Sequence, residues 1–401
     1  MHSSKRATLN NPKPIRICIL GGGFGGLYTA LYLSRFSWAR MGQCQIILIE
    51  KNDRFLFTPL LYELITGELQ SWEIAPSYQK LLGGTKIDFR QQIIQAIDLN
   101  ARQIALDNGL TVGYDYLVLA VGTQNRWAKI PGVQTYALPF RTLADAERLE
   151  ARLQMLEAGD RQRLRAIVIG GGPSGVELAC KLADRLSKRG QVHLIERGEA
   201  ILKNFSAGVR KAALRSLAIR QVQIDYLTDV TALEADAITV VKDGKTITMP
   251  VDLVLWAVGT ETRNWLANLD CPKNEKGQLL TRPTLQLLDR PEVFALGDLA
   301  EIRNSSKLVP STAQAAYQQA SHAAKNLKAI LQGKRLRPFR YLHMGDMLTL
   351  GKGAAIVSSF FLNLEGSLAA AIRQVVYLQR LPTLRHRWQI FKHLLVRSLH
   401  I

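Results

Sequence analysis

Cysteine is scarce in this 401-residue chain and nowhere paired. Cys18, Cys44, Cys180 and Cys271 are far apart and form no C-x-x-C, which argues against a disulfide framework, a zinc centre and a dithiol redox centre, and fits a reducing compartment. No metal site is expected. Cys18 and Cys180 fall inside apolar patterns, as buried small residues do. Long apolar runs are also missing. The longest weakly charged segment, 353–364, is too short and too interrupted by Ser and Asn to cross a bilayer. The stretch 1–14 is polar without an apolar centre, so no secretory signal is expected. Acids are few: 33 Asp and Glu face 52 Lys and Arg, for a net charge of +19. An anionic partner is therefore expected, whether nucleic acid, a membrane surface or an anionic cofactor. With 47% hydrophobic and 21% charged residues the chain is globular, and its length allows two or three domains.

Glycine, by contrast, is placed with a pattern. The buried-strand sequence Ile15–Leu20 runs into Gly21, Gly23, Gly25 and Gly26 and then into a helical pattern, with Gly21, Gly23 and Gly26 at the G-x-G-x-x-G positions. These positions serve a tight turn, close approach of a pyrophosphate, and helix-on-strand contact, and the helix N-terminus offers N–H groups to the anion. A second apolar strand ends in Glu50, where a carboxylate accepts hydrogen bonds from a ribose diol. The apolar, proline-kinked 57–64 reads as a loop packed on the core. The segment 86–99 reads as a strand with a crossover, in which Ile94 can lend backbone groups to an adenine. A strand over 114–121 then ends on a small-residue turn at Gly122-Thr123.

The opening repeats. Gly170, Gly172 and Gly175 follow the apolar run 165–169 in the same register, a second strand ends in Glu196, and the Asp252 to Thr260 stretch, with Gly259, echoes Asp115 to Thr123. Such duplication predicts two dinucleotide sites. Further on, 291–298 is an apolar strand ending in Gly-Asp, where Asp298 either closes a turn or binds a ribityl hydroxyl. A helix starting at Ser311 follows, and Ser311 with Gln314 fits a capping box. Segment 334–401 holds 11 Lys and Arg against Asp346 and Glu365. Leu384, Trp388, Phe391, Leu395 and Leu399 recur there at helical spacing among Arg385, Arg387, Lys392 and Arg397. This helix either packs on its own domain or lies in a membrane interface, the reading favoured here; without a recognition motif, nucleic acid is not expected.

The two glycine motifs, the paired Ala-Val-Gly-Thr turns and the Leu-Gly-Asp strand together resemble the flavoprotein reductases with two dinucleotide domains. Ala313-Gln314-Ala315-Ala316-Tyr317-Gln318 matches the A-Q-x-A-x-Q pattern of one branch, the type II NAD(P)H:quinone dehydrogenases, and 57–62 and the basic C-terminal helix also look like it. The short chain and basic tail are similar to the demethylphylloquinone reductase branch of oxygenic phototrophs. The resemblance implies an α/β fold of two Rossmann-like domains, the second inserted in the first, followed by a basic amphipathic membrane-associating region. The expected limits are 14–140 and 271–333 for the FAD-binding domain, 141–270 for the NAD(P)H-binding domain, and 334–401 for the membrane-associating region.

By the same resemblance Gly21, Gly23, Gly25, Gly26, Glu50, Ile94, Asp298 and Ala313 hold FAD. Gly170, Gly172, Gly175, Glu196, Arg197 and Gly259 hold NADH or NADPH: Glu196 favours a ribose diol, and Arg197 suits a 2′-phosphate. Glu177 matches the glutamate near the flavin–nicotinamide contact, and Gln314 and Gln318 match the quinone-side glutamines; Gln314 either contacts quinone or only caps its helix. The implied activity is electron transfer from NAD(P)H through FAD to a membrane quinone, demethylphylloquinone or plastoquinone, without proton pumping. The enzyme would sit peripherally on the cytoplasmic side of an anionic membrane surface, with a homodimer one option. Two alternatives remain open: a soluble reductase of a small electron-carrier protein, and a non-catalytic nucleotide-sensing flavoprotein.

Overall fold

A computed structural model describes residues 13–304, 307–359 and 362–398. The chain divides into two compact units, each assembled from three stretches: up to Asp53, 78–123 and 262–341 for the first, and 54–77, 124–261 and 342 onward for the second.

The first unit is built on a five-stranded parallel sheet in the order Val293–Ala295, Tyr116–Leu119, Ile15–Leu20, Cys44–Glu50, Ile87–Gln91. Its central strand is apolar along both faces because a parallel sheet is covered on both sides, and Ile17, Cys18, Ile19 and Leu20 are fully buried. The Phe24–Ser34 helix leaves this strand and packs against the Ala313–Leu331 helix, with Tyr28 edge-on to Tyr317 at 4.7 Å between ring centroids. The segment 86–99 is not a strand with a crossover. Ile87–Gln91 is the edge of the parallel sheet, and Ile94–Asp98 starts a separate antiparallel sheet with Gln103–Leu106 and Thr111–Gly113. Two residues between strands are too few for a crossover.

The second unit repeats the architecture, with a parallel sheet in the order Gln223–Asp225, Gly190–Ile195, Leu164–Ile169, Leu253–Trp256, Ala137–Pro139. The duplication extends to single hydrogen bonds. The Asp115 carboxylate accepts from the Arg16 amide at 2.7 Å, and that of Asp252 from the Arg165 amide at 2.8 Å, each stapling the start of a glycine-bearing strand to its neighbour.

The stretch 54–77 is a closed excursion within this unit, tied at its neck by Phe55 N to Pro76 O at 3.0 Å and Phe57 N to Ile74 O at 2.8 Å. Inside it Thr58–Leu64 is a 3-10 helix with Pro59 near its start, where a missing N–H costs nothing. From Asp346 onward an antiparallel three-stranded sheet leads into the Ser367–Arg380 and Leu384–Ser398 helices. In the last helix His386 and Ile390 are buried. The Leu384, Trp388 and Phe391 stripe faces outward, at 78%, 60% and 42% exposure, so it does not serve as a core face. The Leu395 side chain and Leu399 lie outside the described residues.

Candidate functional site

In the first unit Gly21 adopts φ +93° and donates its N–H to Ile49 O at 2.8 Å, which turns the chain off the sheet. A Cβ on Gly26 would lie 1.8 Å from Gly21 O, so the helix can approach the strand end this closely only with glycine there. The Glu50 carboxylate accepts from Gly22 N at 2.8 Å and from Asn52 N at 3.0 Å, bringing the acid to the rim of the loop. The second unit copies each contact. Gly170 has φ +110° and donates to Ile195 O at 2.8 Å; a Cβ on Gly175 would lie 1.8 Å from Gly170 O; and Glu196 accepts from Gly171 N and Gly198 N, both at 2.6 Å.

Gly23 and Gly172 differ from these. Their backbones, at φ −69° and −73°, suit any residue, and a Cβ on either would meet nothing among the described residues within 4 Å beyond its chain neighbours. Nothing in the fold requires glycine at these two positions, which are the ones where a pyrophosphate must approach the backbone. Neither following helix has a side-chain N-cap, whereas Thr142, Ser206 and Thr312 cap the Leu143–Ala158, Ala207–Ile219 and Ala313–Leu331 helices. The first-turn N–H groups at Gly23 and Gly172 therefore suit an external anion. These residues fit two dinucleotides.

Of the other expected FAD residues, Gly25 belongs to the first loop and Asp298 lies in a turn beside it. Gly25 lies against Ala120 and Leu296, and Gly297, at φ +75°, lies against Ala316. Asp298 thus sits in a short turn between the loop and the start of the Ala313–Leu331 helix. Gln319, buried in that helix, accepts from Gly297 N at 2.7 Å, and Gln278 donates to Asp298 O at 3.0 Å; both fix the turn. Ile94 stands in the antiparallel strand beyond Gln92, whose amide donates to Glu50 O at 3.1 Å. Ser311 does not cap the helix. The cap is Thr312, whose hydroxyl accepts from Ala315 N at 3.2 Å, so Ala313 is the first helical residue. Gln314 is thereby released from capping: its Oε1 accepts from the Tyr341 hydroxyl at 2.9 Å. Gln318 lies one turn on, on the same face.

Sequence reasoning missed Tyr78, whose buried hydroxyl donates to Gly22 O at 2.8 Å under the first loop. Burial, then the charges of Glu50 and Asp53, push its phenol well above the ordinary value, so it stays a donor. No local pattern announces a contact across 56 residues.

In the second unit Arg197 is exposed beside Glu196, and Gly259, at φ +62°, forms the turn after Leu253–Trp256. Glu177 lies in the Pro173–Leu186 helix and is buried. Burial pushes its carboxyl up to about 8, with Glu63 adding to the rise and with Arg373, the Thr349 N–H and Lys181 opposing it. Arg373 and Glu63 are an ion pair beside it, also missed from the sequence. Burial also raises the thiols of Cys18, Cys44 and Cys180 to about 12, so none is a ready thiolate.

Residues 15–320 match the model of the pyridine nucleotide-disulphide oxidoreductases. The chain belongs to that family. Among its relatives in the family is the demethylphylloquinone reductase of Synechocystis sp., 44% identical over 389 residues that cover 96% of each chain. Another is an alternative NAD(P)H-ubiquinone oxidoreductase of Arabidopsis thaliana, 37% identical over 95% of this chain and 80% of the relative. The fold of this family member also matches that of NDH2 from Plasmodium falciparum, solved with NADH, at a TM-score of 0.85 and 19% identity over 94% of this chain and 97% of that one. The family is named for disulphide chemistry, yet all four cysteines here are free thiols without a partner cysteine.

Proposed function

We propose that this chain is a type II, FAD-dependent NAD(P)H:quinone oxidoreductase, carrying out NAD(P)H + H⁺ + quinone → NAD(P)⁺ + quinol without proton pumping. The observation that carries the reading is the pair of glycines, Gly23 and Gly172, that the fold does not require and a dinucleotide does. Similarity to the Synechocystis demethylphylloquinone reductase supports demethylphylloquinone as the membrane quinone accepted, with plastoquinone the other candidate. Among the described residues no helix is long and apolar enough to cross a membrane.

The first unit binds FAD through Gly21, Gly23, Gly25, Gly26, Glu50, Asp298 and the helix start at Ala313. The second binds the nicotinamide nucleotide through Gly170, Gly172, Gly175, Glu196, Arg197 and Gly259. Bound in the first unit, FAD supplies a two-electron relay between nicotinamide and quinone. The protein's own contribution is positioning and proton management. Glu50 and Glu196 accept from ribose hydroxyls while their backbone donors hold them in place. The Thr312-capped helix directs its positive end toward developing negative charge. The Gln314 and Gln318 amides donate to quinone oxygens, and the Tyr341 hydroxyl donates to Gln314 Oε1. Glu177, protonated near neutral pH, is a buried acid of the second unit able to hold and release a proton during turnover.

Arg197 binds the 2′-phosphate when NADPH is the donor. Arg197→Ala is expected to lower kcat/KM for NADPH about tenfold, the worth of one charge-assisted contact, and to leave NADH within about twofold. An equal loss with both donors would remove Arg197 from the phosphate site.

The outward stripe of Leu384, Trp388 and Phe391, flanked by exposed Arg385 and Lys392, lies in the headgroup region on the cytoplasmic side of the membrane. Replacing all three by Ser is expected to weaken binding to vesicles containing anionic lipid by more than about tenfold, since each side chain loses on the order of 1 kcal/mol of apolar burial. Flavin content should be unchanged. Vesicle binding equal to the wild type would contradict the anchor.

A further inference from the structure

The interior of the second unit holds a charged cluster that dinucleotide binding does not explain. Glu63, Glu177 and Arg373 are 4%, 6% and 3% exposed and come from three separate stretches of sequence. Arg373 is committed away from Glu177. One terminal nitrogen makes the ion pair with Glu63 Oε1, the other donates to Pro59 O at 2.6 Å, and the guanidinium lies over the Tyr377 ring at 4.8 Å. Glu177 Oε1 is 4.0 Å from that second nitrogen, beyond hydrogen-bond reach, and accepts instead from Thr349 N at 2.9 Å.

The groups facing Glu177 come from four elements. They are Arg373 and Tyr377 from the Ser367–Arg380 helix, Glu63 and Tyr62 from the 3-10 helix, the Thr349 amide from its strand, and Cys180 and Lys181 on its own helix. Lys181 is itself paired with Glu68. Two carboxylates thus compete for one buried guanidinium, and Glu63 has the direct contact. Among the described residues, Glu63 Oε2 and Arg373 Nε have no hydrogen-bond partner.

We infer that Glu63 and Arg373 are positioning residues that fix the protonation state of Glu177: by holding Arg373, Glu63 keeps Glu177 carrying a proton at the pH of turnover. Two like charges beside one guanidinium cannot both stay ionised at low cost in a buried site, and the carboxylate without the direct contact takes the proton. The meaning for turnover rests on the proposed role of Glu177 in turnover; the protonation network itself does not.

The test is infrared titration of the FAD-loaded, full-length protein. The protonated-carboxyl band of Glu177, assigned by its loss in Glu177→Gln, should disappear in the wild type as pH rises through about 8. In Glu63→Gln, Arg373 is freed toward Glu177 and the midpoint should fall by about one unit, the low end of the effect of an adjacent opposite charge. In Arg373→Gln the attraction is removed and the midpoint should rise. Glu63→Asp, which keeps the charge, should return it toward the wild type. Quinone reduction at pH 8 should fall about fivefold in Glu63→Gln, following the protonated fraction of Glu177. A merely structural role would not shift the midpoint in opposite directions in the two variants. Midpoints that stay in place, or move the same way, overturn the inference, as does a Glu177 ionised throughout pH 6–9 in the wild type. If Arg373→Gln does not fold, Glu63→Gln and Glu63→Asp decide alone. Undiminished quinone reduction by Glu177→Gln would refute the role of Glu177 in turnover, while the infrared midpoints would still judge the network.

Discussion

Gly23→Ala should fold as stably as the wild type and yet lose FAD. Beyond its chain neighbours, a methyl group there meets no atom of the described residues within 4 Å and sits on backbone at φ −69°, so the folded chain accepts it. The same methyl projects where the pyrophosphate must touch the backbone, and an overlap of that kind is expected to weaken flavin binding more than about a hundredfold, or about 3 kcal/mol. Gly172→Ala should show the complementary result: full flavin content, with KM for NAD(P)H raised by a similar factor. Gly26→Ala serves as the contrast. Its methyl would lie 1.8 Å from Gly21 O, so this variant should lose stability as well as flavin. Thermal unfolding with flavin removed, together with flavin absorbance, separates the three. Gly23→Ala that keeps its flavin would mean that the first loop is not the pyrophosphate site.

Lys181→Ala is expected to be strongly destabilising to the second unit. Lys181 is fully buried and ion-paired with Glu68, whose other oxygen accepts from Gly353 N at 3.0 Å. Removing the amine leaves a mostly buried carboxylate without its cation, a loss of about 3–5 kcal/mol. Lys181→Met, which restores the packing volume, should cost less than Lys181→Ala. Burial works to raise the Glu68 carboxyl, but the Lys181 charge, hydrogen bonds from Lys181 and Thr66, and the Gly353 N–H hold it below its ordinary value. A depressed carboxyl contributes stability that is fully present above the unfolded-state value and lost as pH falls through the folded one. The wild type should therefore lose this increment in acid below the ordinary carboxylate range, and Lys181→Ala should lack that part of the pH dependence. Chemical unfolding at neutral and acid pH measures both; equal stability of Lys181→Ala and wild type at neutral pH would contradict the assignment.

What the sequence reveals and what it hides divide along physical lines. The glycine loops, Glu50, Glu196 and the Asp-to-Gly-Thr strands are legible because each dinucleotide half is a local unit, in which strand, turn, helix and acid follow within about forty residues. Their duplication is legible for the same reason. The Ala313–Leu331 helix is legible, but the capping pattern points one residue early, because Ser311 and Thr312 are both good caps and only the fold selects Thr312. The 54–77 excursion was not legible as more than a packed loop. It carries Glu63, Glu68 and Glu73, and each is met by a side chain over a hundred residues away: Arg373, Lys181 and His393. No periodicity in 54–77 distinguishes those three acids from solvated ones, since their partners lie on other elements. For the same reason the tuning of Glu177 by Glu63 and Arg373 emerges only from the assembled unit. The C-terminal helix was legible as amphipathic, but not which way it faces. Burial of His386 and Ile390, with His386 Nε2 2.8 Å from Glu73 O, turns its aromatic stripe outward.

The most direct measurement is anaerobic stopped-flow spectroscopy of the purified protein, followed by mixing with a soluble quinone analogue. The protein should be yellow, one NAD(P)H should bleach the flavin absorbance, and one quinone should restore it with formation of one quinol. Well-folded protein that carries no flavin, or a flavin that NAD(P)H reduces and no quinone reoxidises, would contradict the account.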